Sequence, residues 1–283
     1  METRIDGQVI KGVGGKFTVE TENGVVVCPA RGVLKRDDDT ILVGDYVCLT
    51  KDPDWFISSV YPRKNALVRP PVSNIDTLVV VLAAEPEPDY CLLDKLLLIC
   101  FNNSIDVLIC VNKNDLDNSV YEYVERVYGD FIRVFSVSAK DNEGIKELSE
   151  NLKGLVCFSG QSAVGKTSLL NALCSTNEQT GELSKILRGR NTTRHVQIYK
   201  VNDDFRLIDT CGFSMLVAGL PETNEIPSFY PDFAKYGQCK YRSCMHATEP
   251  DCQVRNAVKQ RKIDLERYYR YLTIIGVRKK WKQ

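Results

Sequence analysis

A multidomain α/β protein is what this sequence predicts, and three observations predict it. Short Val- and Gly-rich stretches joined by turn pairs fill the first 68 residues, continuous apolar runs then alternate with helical patterns, and a cysteine–histidine cluster precedes a basic, helical end. With 283 residues and 43% hydrophobic content, the chain has material for about two cored domains. Lys plus Arg and Asp plus Glu stand at 37 each, so no overall field announces a nucleic-acid partner and any basic surface is local.

No run approaches the roughly 18 apolar residues of a membrane span, and Met1 to Asp6 offers no apolar signal core. A cytoplasmic protein without a membrane partner is expected. Of the eleven cysteines, Cys28, Cys48, Cys100, Cys110 and Cys157 lie in strand-like stretches and read as small buried hydrophobes of a reducing compartment.

Taken in order, residues 1–68 carry Gly14-Gly15, then Asn23-Gly24 between Phe17–Glu20 and Val25–Val27, then Ile41–Leu49. About five short strands in this length predict an OB-like β-barrel, a fold often used on oligonucleotides, although fold alone does not establish function. Arg69-Pro70-Pro71 reads as a stiff break and a domain boundary, because consecutive prolines fix φ and hold the preceding residue extended.

Beyond it, Thr77–Leu82 is a continuous apolar strand, Leu92–Ile99 a helix and Ile105–Val111 a second buried strand. Strands alternating with helices predict a parallel sheet covered on both faces. A helix near Val120–Tyr128 and a strand over Phe131–Phe135 follow.

Gly160-Gln161-Ser162-Ala163-Val164-Gly165-Lys166-Thr167-Ser168 fits a phosphate-binding loop, set between the apolar strand Leu155–Phe158 and the helical pattern Ser168–Leu173. Backbone N–H groups must wrap the α- and β-phosphates, so a Cβ at either glycine would obstruct the approach or the turn. Lys166 then reaches the β- and γ-phosphates and the Thr167 hydroxyl ligates Mg²⁺.

Two loops at strand ends complement it. Asn112-Lys113-Asn114-Asp115 places a carboxylate, Asp115, where it can accept from a guanine's N1 and exocyclic amine, and Ser138-Ala139-Lys140 follows the next strand. These resemble the guanine-specificity motifs of the GTPase superfamily. Farther on, Arg188–Arg194 suits a switch loop in which Thr193 is preferred over Thr192 as a Mg²⁺ ligand, and Asp209-Thr210-Cys211-Gly212 supplies Asp209 for Mg²⁺ and the Gly212 N–H for the γ-phosphate.

In ordinary GTPases the phosphate loop precedes the guanine motifs; here it follows them, so a circularly permuted P-loop GTPase domain is expected. Phe213 stands where Ras-like enzymes keep a water-orienting Gln, which predicts slow intrinsic turnover. The permutation also ties the second switch to whatever follows, so a nucleotide-driven movement could pass to a C-terminal module. His195 and His246 are the only histidines, and His195 reads as a surface residue.

Cys239-x4-Cys244-x-His246-x5-Cys252 offers three thiolates and an imidazole, a donor set suited to one tetrahedral structural Zn²⁺. From Val254 to Ile275 the pattern is helical, and from Arg255 onward ten Lys or Arg face two acids. Basic and aromatic side chains together fit RNA contact, while an amphipathic helix packing its tyrosines on the GTPase domain is the alternative.

Together these residues resemble the circularly permuted ribosome small-subunit-dependent GTPase A family, along nearly the whole chain. Its marks are Arg69-Pro70-Pro71, the permuted motif order, Gly189-Arg190-x-Thr192-Thr193, Asp209-Thr210-x-Gly212 and the cysteine cluster followed by a helix. The resemblance implies an OB domain, a GTPase stimulated by the small (30S) ribosomal subunit, and a role in late maturation of that subunit through its 16S rRNA. The chain departs from the family's switch at Asn191, where a proposed catalytic His is usual, and at Arg194 in place of Thr; Ala163 and Cys211 stand for Gly and Pro. Ala163 should be tolerated if its φ is negative.

The expected division is therefore an OB-fold domain at 1–68, a permuted GTPase domain at 69–220 and a zinc-binding, helical domain at 221–283. GTP or GDP, Mg²⁺ and one Zn²⁺ are the cofactors, and a monomer is the expectation. Hydrolysis would rest on Lys166, Thr167 and Thr193. The rival expectations are a GTP-gated rRNA-binding module with negligible turnover, and a GTPase acting on a protein or membrane partner.

Overall fold

A computed structural model describes residues 3–31, 40–67, 70–175, 196–209 and 219–277. The N-terminal strands are β1 (Thr3–Val13), β2 (Lys16–Thr21), β3 (Gly24–Pro29), β4 (Tyr46–Lys51) and β5 (Trp55–Val60). Strand β1 pairs with both β2 and β4, β2 with β3 and β4 with β5, all antiparallel. A parallel bridge from Ala30 to Ile57 brings β3 and β5 together and closes the barrel, the arrangement expected of an OB-like fold. Val9, Val19, Val47, Leu49 and Ile57 fill it, each with no exposed surface.

β6 (Ala66–Leu67) pairs antiparallel with β7 (Val72–Ser73), so the segment after Pro70-Pro71 doubles back on the one before it. The segment after Pro71 returns to the barrel: Val72 bridges to Val43, and the Ser73 hydroxyl donates to buried Asp45 at 2.6 Å.

The larger sheet contains β8 (Thr77–Leu82), β9 (Asp106–Asn112), β10 (Val134–Val137), β11 (Gly154–Ser159), β12 (Gln197–Lys200) and β13 (Phe205–Asp209). Its order is β10-β9-β8-β11-β13-β12, parallel except for β12. Every residue of β8 is buried, because helices cover both faces. Leu78, Val80 and Leu82 face one core with α1 (Tyr90–Asn102) and α2 (Ser119–Tyr128); Val79 and Val81 face the other with α3 (Ile145–Glu150) and α4 (Lys166–Ser175). The expected strand over 131–135 is displaced, since Phe131 and Ile132 donate their N–H groups to Tyr128 O and close the end of α2. Cys100 lies on α1 and not on a strand; it and Cys110 are buried, and burial pushes both thiols well above their ordinary value, while it pushes that of Cys157 up to about 12.

At β12 this sheet meets the barrel, Gln197 pairing with Lys11 of β1. Arg206 of β13 reinforces the seam, its Nη1 lying 2.8 Å from both Gln8 Oε1 and Glu20 Oε2.

The C-terminal part holds a 3-10 turn at Ile226–Phe229, then α5 (Pro231–Ala234), α6 (Gln253–Lys259) and α7 (Leu265–Ile274). The expected single helix over 254–275 is thus two. Their shared core of Tyr230, Phe233, Val254, Tyr268 and Tyr271 includes Leu98, so this part is seated on α1 of the larger α/β unit.

Candidate functional site

Parallel pairing puts the carboxyl ends of β8, β9, β10, β11 and β13 at one edge. The reversal between β8 and β11 makes a crevice there, the place where open α/β sheets bind ligands.

From β11 the chain enters the phosphate loop at Gly160, whose φ is 142°; a Cβ there would lie 2.2 Å from Val81 O. Gly165 has φ 93°, and a Cβ would lie 2.2 Å from Asn112 Nδ2. Both glycines are therefore required by close neighbours and by positive φ. Ala163 departs from expectation: its φ is +66°, the left-handed region, so this position carries a Cβ where glycine is unstrained. Lys166 opens α4 and arches back over the loop, donating to Gly160 O at 3.0 Å and Gln161 O at 2.6 Å. Ser162, Thr167 and Ser168 are exposed, whereas Val164 packs into the core beneath.

Asn112, at the end of β9 and 2% exposed, joins the two halves of the site. Its Nδ2 donates to Val164 O at 2.9 Å and its Oδ1 accepts from Ala139 N at 3.1 Å. One side chain thus ties the phosphate loop to the Ser138–Lys140 loop. Lys113, at φ +64°, donates from Nζ to Glu85 O at 2.7 Å. Asp115 Oδ1 accepts from the Ser138 hydroxyl at 3.0 Å, and Lys140 Nζ lies 3.6 Å from Asp115 Oδ2. Ser138 also accepts from Asp141 N at 3.1 Å, which fixes the loop.

Between these loops and α4 lies a cleft of about 680 Å³, lined by Asn112, Lys113, Asp115, Ala139, Lys140 and Gly165 among others. It is ample for a purine base, and the flanking α4 N-terminus favours anions.

The structure adds residues that the motifs did not reveal. Asn171 and Ser175 line the cleft from α4, beside Ser168 of the expected phosphate loop. Their three- and four-residue spacing on an otherwise apolar helix is the sequence signal that could have found them. Asn171 Oδ1 is buried with no hydrogen-bond partner among the described residues, as is Asn114 Oδ1. Gln161 grips another segment, accepting from Asp89 N at 2.8 Å and donating to Glu87 O at 3.0 Å. No local pattern signals that contact.

A profile of the RsgA GTPase family matches residues 60–218, and one of the RsgA N-terminal domain matches residues 6–54. The chain belongs to the RsgA GTPase family. Among its relatives is the "Small ribosomal subunit biogenesis GTPase RsgA" of Caldanaerobacter subterraneus subsp. tengcongensis, 38% identical over 96% of this chain and 95% of that protein. The protein of the same name from Geobacillus kaustophilus is 38% identical over 98% of each. The crystal structure of YjeQ from Thermotoga maritima superposes with a TM-score of 0.79 at 30% identity, over 96% of this chain and 98% of the other. That of YloQ, described as a circularly permuted GTPase, gives 0.78 at 28% identity, over 99% and 97%. The permuted motif order, the OB-like barrel and the GTPase sheet are thus those of the RsgA family.

Of the family's remaining motifs, Asp209 ends β13, its backbone paired with Gln197. Thr193 and Gly212 lie outside the described residues, as do Asn191, Thr192, Arg194, His195, Cys211 and Phe213.

The cysteine cluster is assembled. The donor atoms of Cys239, Cys244, His246 and Cys252 all lie within 4.8 Å of one another. Cys239 Sγ is 3.8 Å from Cys252 Sγ and 3.6 Å from His246 Nδ1, which is 3.3 Å from Cys252 Sγ. A tetrahedral zinc with bonds of about 2.3 Å to sulfur sets its ligand sulfurs roughly 3.8 Å apart, so the donor set and its edges are compatible with that ion. Burial holds the His246 imidazole below its ordinary value, favouring the neutral form a ligand needs. The Glu249 carboxylate accepts from the N–H groups of Met245, Ala247 and Thr248, and the Tyr268 hydroxyl donates to His246 O at 2.7 Å, fixing the loop that carries the imidazole.

Two of the basic residues expected to face RNA turn inward instead. Arg267, 2% exposed, lies 3.3 Å from Asp94 of α1 and 3.0 Å from Asp232, under the rings of Tyr128, Phe131 and Tyr230. Arg270 Nε donates to Asp94 at 2.6 Å and its Nη2 to the Tyr128 hydroxyl at 3.0 Å. Tyr268 and Tyr271 pack within the C-terminal core. The packing alternative therefore holds for these four residues, because both guanidiniums find a countercharge in Asp94 of α1.

Proposed function

We propose that this chain is a GTPase that binds the small (30S) ribosomal subunit through its 16S rRNA and assists late maturation, hydrolysing GTP to GDP and phosphate with stimulation by the subunit. The observation that carries the GTPase reading is Asn112, which couples the phosphate loop and both guanine loops around one cleft. The printed names of the relatives support the ribosomal reading.

In this reading Asn112, Lys113, Asp115, Ser138, Ala139 and Lys140 hold the guanine, with Asp115 accepting from N1 and the exocyclic amine. Gly160 to Ser168 cradle the phosphates, and Lys166 exchanges its bonds to Gly160 O and Gln161 O for the β- and γ-phosphates. Thr167 and Asp209 would hold Mg²⁺; the exposed Thr167 hydroxyl at the mouth of the loop is a hard oxygen donor that fits it. Bound there, Mg²⁺ would supply positive charge to neutralise that of the transferred phosphoryl group. Thr193 and Gly212 are the switch contacts. Catalysis is mostly electrostatic and positional: Lys166 stabilises charge while the closed loop orders the phosphates for attack by water.

Cys239, Cys244, His246 and Cys252 would hold one structural Zn²⁺, their donor atoms lying within 4.8 Å of one another. The chain divides into an OB domain at 1–68, a permuted GTPase domain at 69–220 and a zinc-binding helical domain at 221–283, and works as a cytoplasmic monomer. Among the described residues no helix is long and apolar enough to cross a membrane.

Steady-state GTP hydrolysis of the zinc-replete protein, alone and with purified small subunits, tests the proposal against a Lys166→Ala control. Stimulation that the control lacks supports it. Tight GTP-dependent binding without stimulation would favour the second reading, a GTP-gated rRNA-binding module, to which Asn191 and Phe213 point.

A further inference from the structure

A second large cleft, of about 740 Å³, lies away from the nucleotide site, between the end of α2 and the C-terminal helices. Its volume falls within the range of small-ligand sites. Half-buried Phe131, Tyr236 and Tyr269 line it, together with Lys259, Arg261 and Lys262 from the end of α6 and the turn beyond.

The charges there are not balanced. Each acid in the lining already has a cation: Asp130 pairs with Lys235 at 2.8 Å, Asp232 with Arg267 at 3.0 Å and Asp264 with Arg126 at 3.3 Å. Lys259, Arg261 and Lys262 are exposed and form no ion pair with a described residue. Three unneutralised cations thus stand at the rim of a cleft walled by aromatic rings. The buried Arg267 guanidinium lies 4.9 Å from the Phe131 ring centroid and helps fix that ring.

We propose that this cleft binds single-stranded RNA, admitting an unpaired base between its aromatic walls while Lys259, Arg261 and Lys262 contact the flanking phosphates. The inference rests on the rRNA-binding reading above and gives it a surface. Rings and cations are the two elements of single-strand recognition, each base offering a π-face and each linkage a charge. A duplex presents phosphates but keeps its bases stacked inside, so it satisfies the rim and leaves the rings unused. An acidic peptide would also satisfy the cations, but it offers no planar group to the rings.

The experiment uses the zinc-replete full chain with GDP and a fluorescein-labelled ten-nucleotide oligouridylate, read by anisotropy across a salt series. The single strand should bind more tightly than a duplex of equal length. Lys259→Ala/Arg261→Ala/Lys262→Ala should weaken it about tenfold or more and lower the salt slope by about 2, as loss of three phosphate contacts to a single strand predicts. Tyr269→Ala should cost about fivefold or more and Tyr269→Phe almost nothing, since the ring does the stacking. Lys146→Ala, at an exposed position of α3 remote from the cleft, should change nothing. With 4-thiouridine in the strand, ultraviolet crosslinks should map to α6, α7 or the Tyr236 peptide. Unchanged affinity in the triple variant, equal binding of the duplex, or equal competition by an oligoglutamate would overturn the cleft's assignment. Co-sedimentation with small subunits separates the two levels. Failure of the unaltered protein to sediment overturns the ribosomal reading, whereas sedimentation with an oligouridylate affinity that the triple variant leaves intact overturns the cleft alone.

Discussion

Asn112 and Ala163 show at single positions how much the nucleotide site depends on backbone geometry. Asn112→Asp keeps an acceptor for Ala139 N but loses the donor to Val164 O and turns a carboxylate toward that carbonyl. A buried hydrogen bond lost in this way costs about 1–3 kcal/mol, so GDP affinity in a fluorescence titration should fall roughly tenfold or more. Affinity within twofold of the unaltered protein would mean that the tie between the loops is dispensable. At position 163 the left-handed φ costs an alanine about 1–2 kcal/mol, partly offset by the greater chain entropy of an unfolded glycine. Ala163→Gly should therefore leave stability unchanged or raise it by less than about 1 kcal/mol, while Ala163→Val loses about 1–2 kcal/mol to its branched Cβ in urea unfolding. Equal stability of all three proteins would refute the assigned φ. Asp117 gives a pH signature just before α2: its carboxylate accepts from the backbone N–H of Ser119 at 2.8 Å and from the Ser119 hydroxyl at 2.8 Å, which holds it below its ordinary value. Because the folded value is depressed, this support for the start of α2 is present above the unfolded value and is lost as pH falls through the folded one. The Asp117 carboxyl resonance should titrate below the usual carboxylate range and move up toward it in Ser119→Ala.

Helix α1 is the element that connects most of the molecule. Its N-cap residue Asp89 receives Gln161 of the phosphate loop, and one turn later Asp94 takes Arg267 and Arg270 of α7 and the Tyr128 hydroxyl of α2. Burial, and then the Asp94 charge, push that hydroxyl well above its ordinary value; burial opposes the Arg267 charge, yet Asp94 and Asp232 hold it on. Removing one partner from such a buried set costs more than removing the set, since it strands a charge away from water. Asp94→Ala should destabilise the protein by about 3–5 kcal/mol in urea unfolding and increase amide exchange in α7. A loss below about 1 kcal/mol would show that the guanidiniums find water instead. These contacts mark the boundary of what the sequence discloses. The phosphate loop, Asn112–Asp115, Ser138–Lys140 and the cysteine cluster are each a contiguous run whose residue types and spacing already state a chemistry. Asp94 and Arg270 stand 176 residues apart, so each alone reads as an ordinary surface charge on an amphipathic helix. The same blindness made Arg267 and Arg270 candidates for RNA, and made one helix of 254–275, because a helical period cannot register the turn that Lys262 N closes onto Ala257 O.

At the scale of the whole molecule, three bodies of side chains depend on one another to different degrees. The barrel core is separate from the two cores of the nucleotide-binding sheet; among the described residues the two are joined by backbone pairing at Lys11 and Gln197, by the Arg206 contacts with Gln8 and Glu20, by Val43 packing in one of the sheet's cores and by the Ser73–Asp45 hydrogen bond. Among its described residues the C-terminal part has no strand, and its helices run from four residues in α5 to ten in α7. Isolated helices shorter than about 12–15 residues are marginal in water, so their order rests on tertiary contacts and on whatever gathers the four donors at Cys239, Cys244, His246 and Cys252. If that is zinc, chelation removes the tie while leaving Asn112, Asp115 and Lys166 beside the core of α3 and α4, to which no residue of the C-terminal part contributes. Zinc-depleted protein should then lose amide protection in α6 and α7, and with it the Arg270–Asp94 contact, yet bind GDP within about threefold of the metal-replete form. Stimulation by small subunits should be lost and should return on adding back zinc. Equal protection of α6 and α7 with and without metal would show that the tyrosine core alone carries this part of the chain. Loss of GDP binding on chelation would show instead that α1 transmits the damage to the phosphate loop through Gln161.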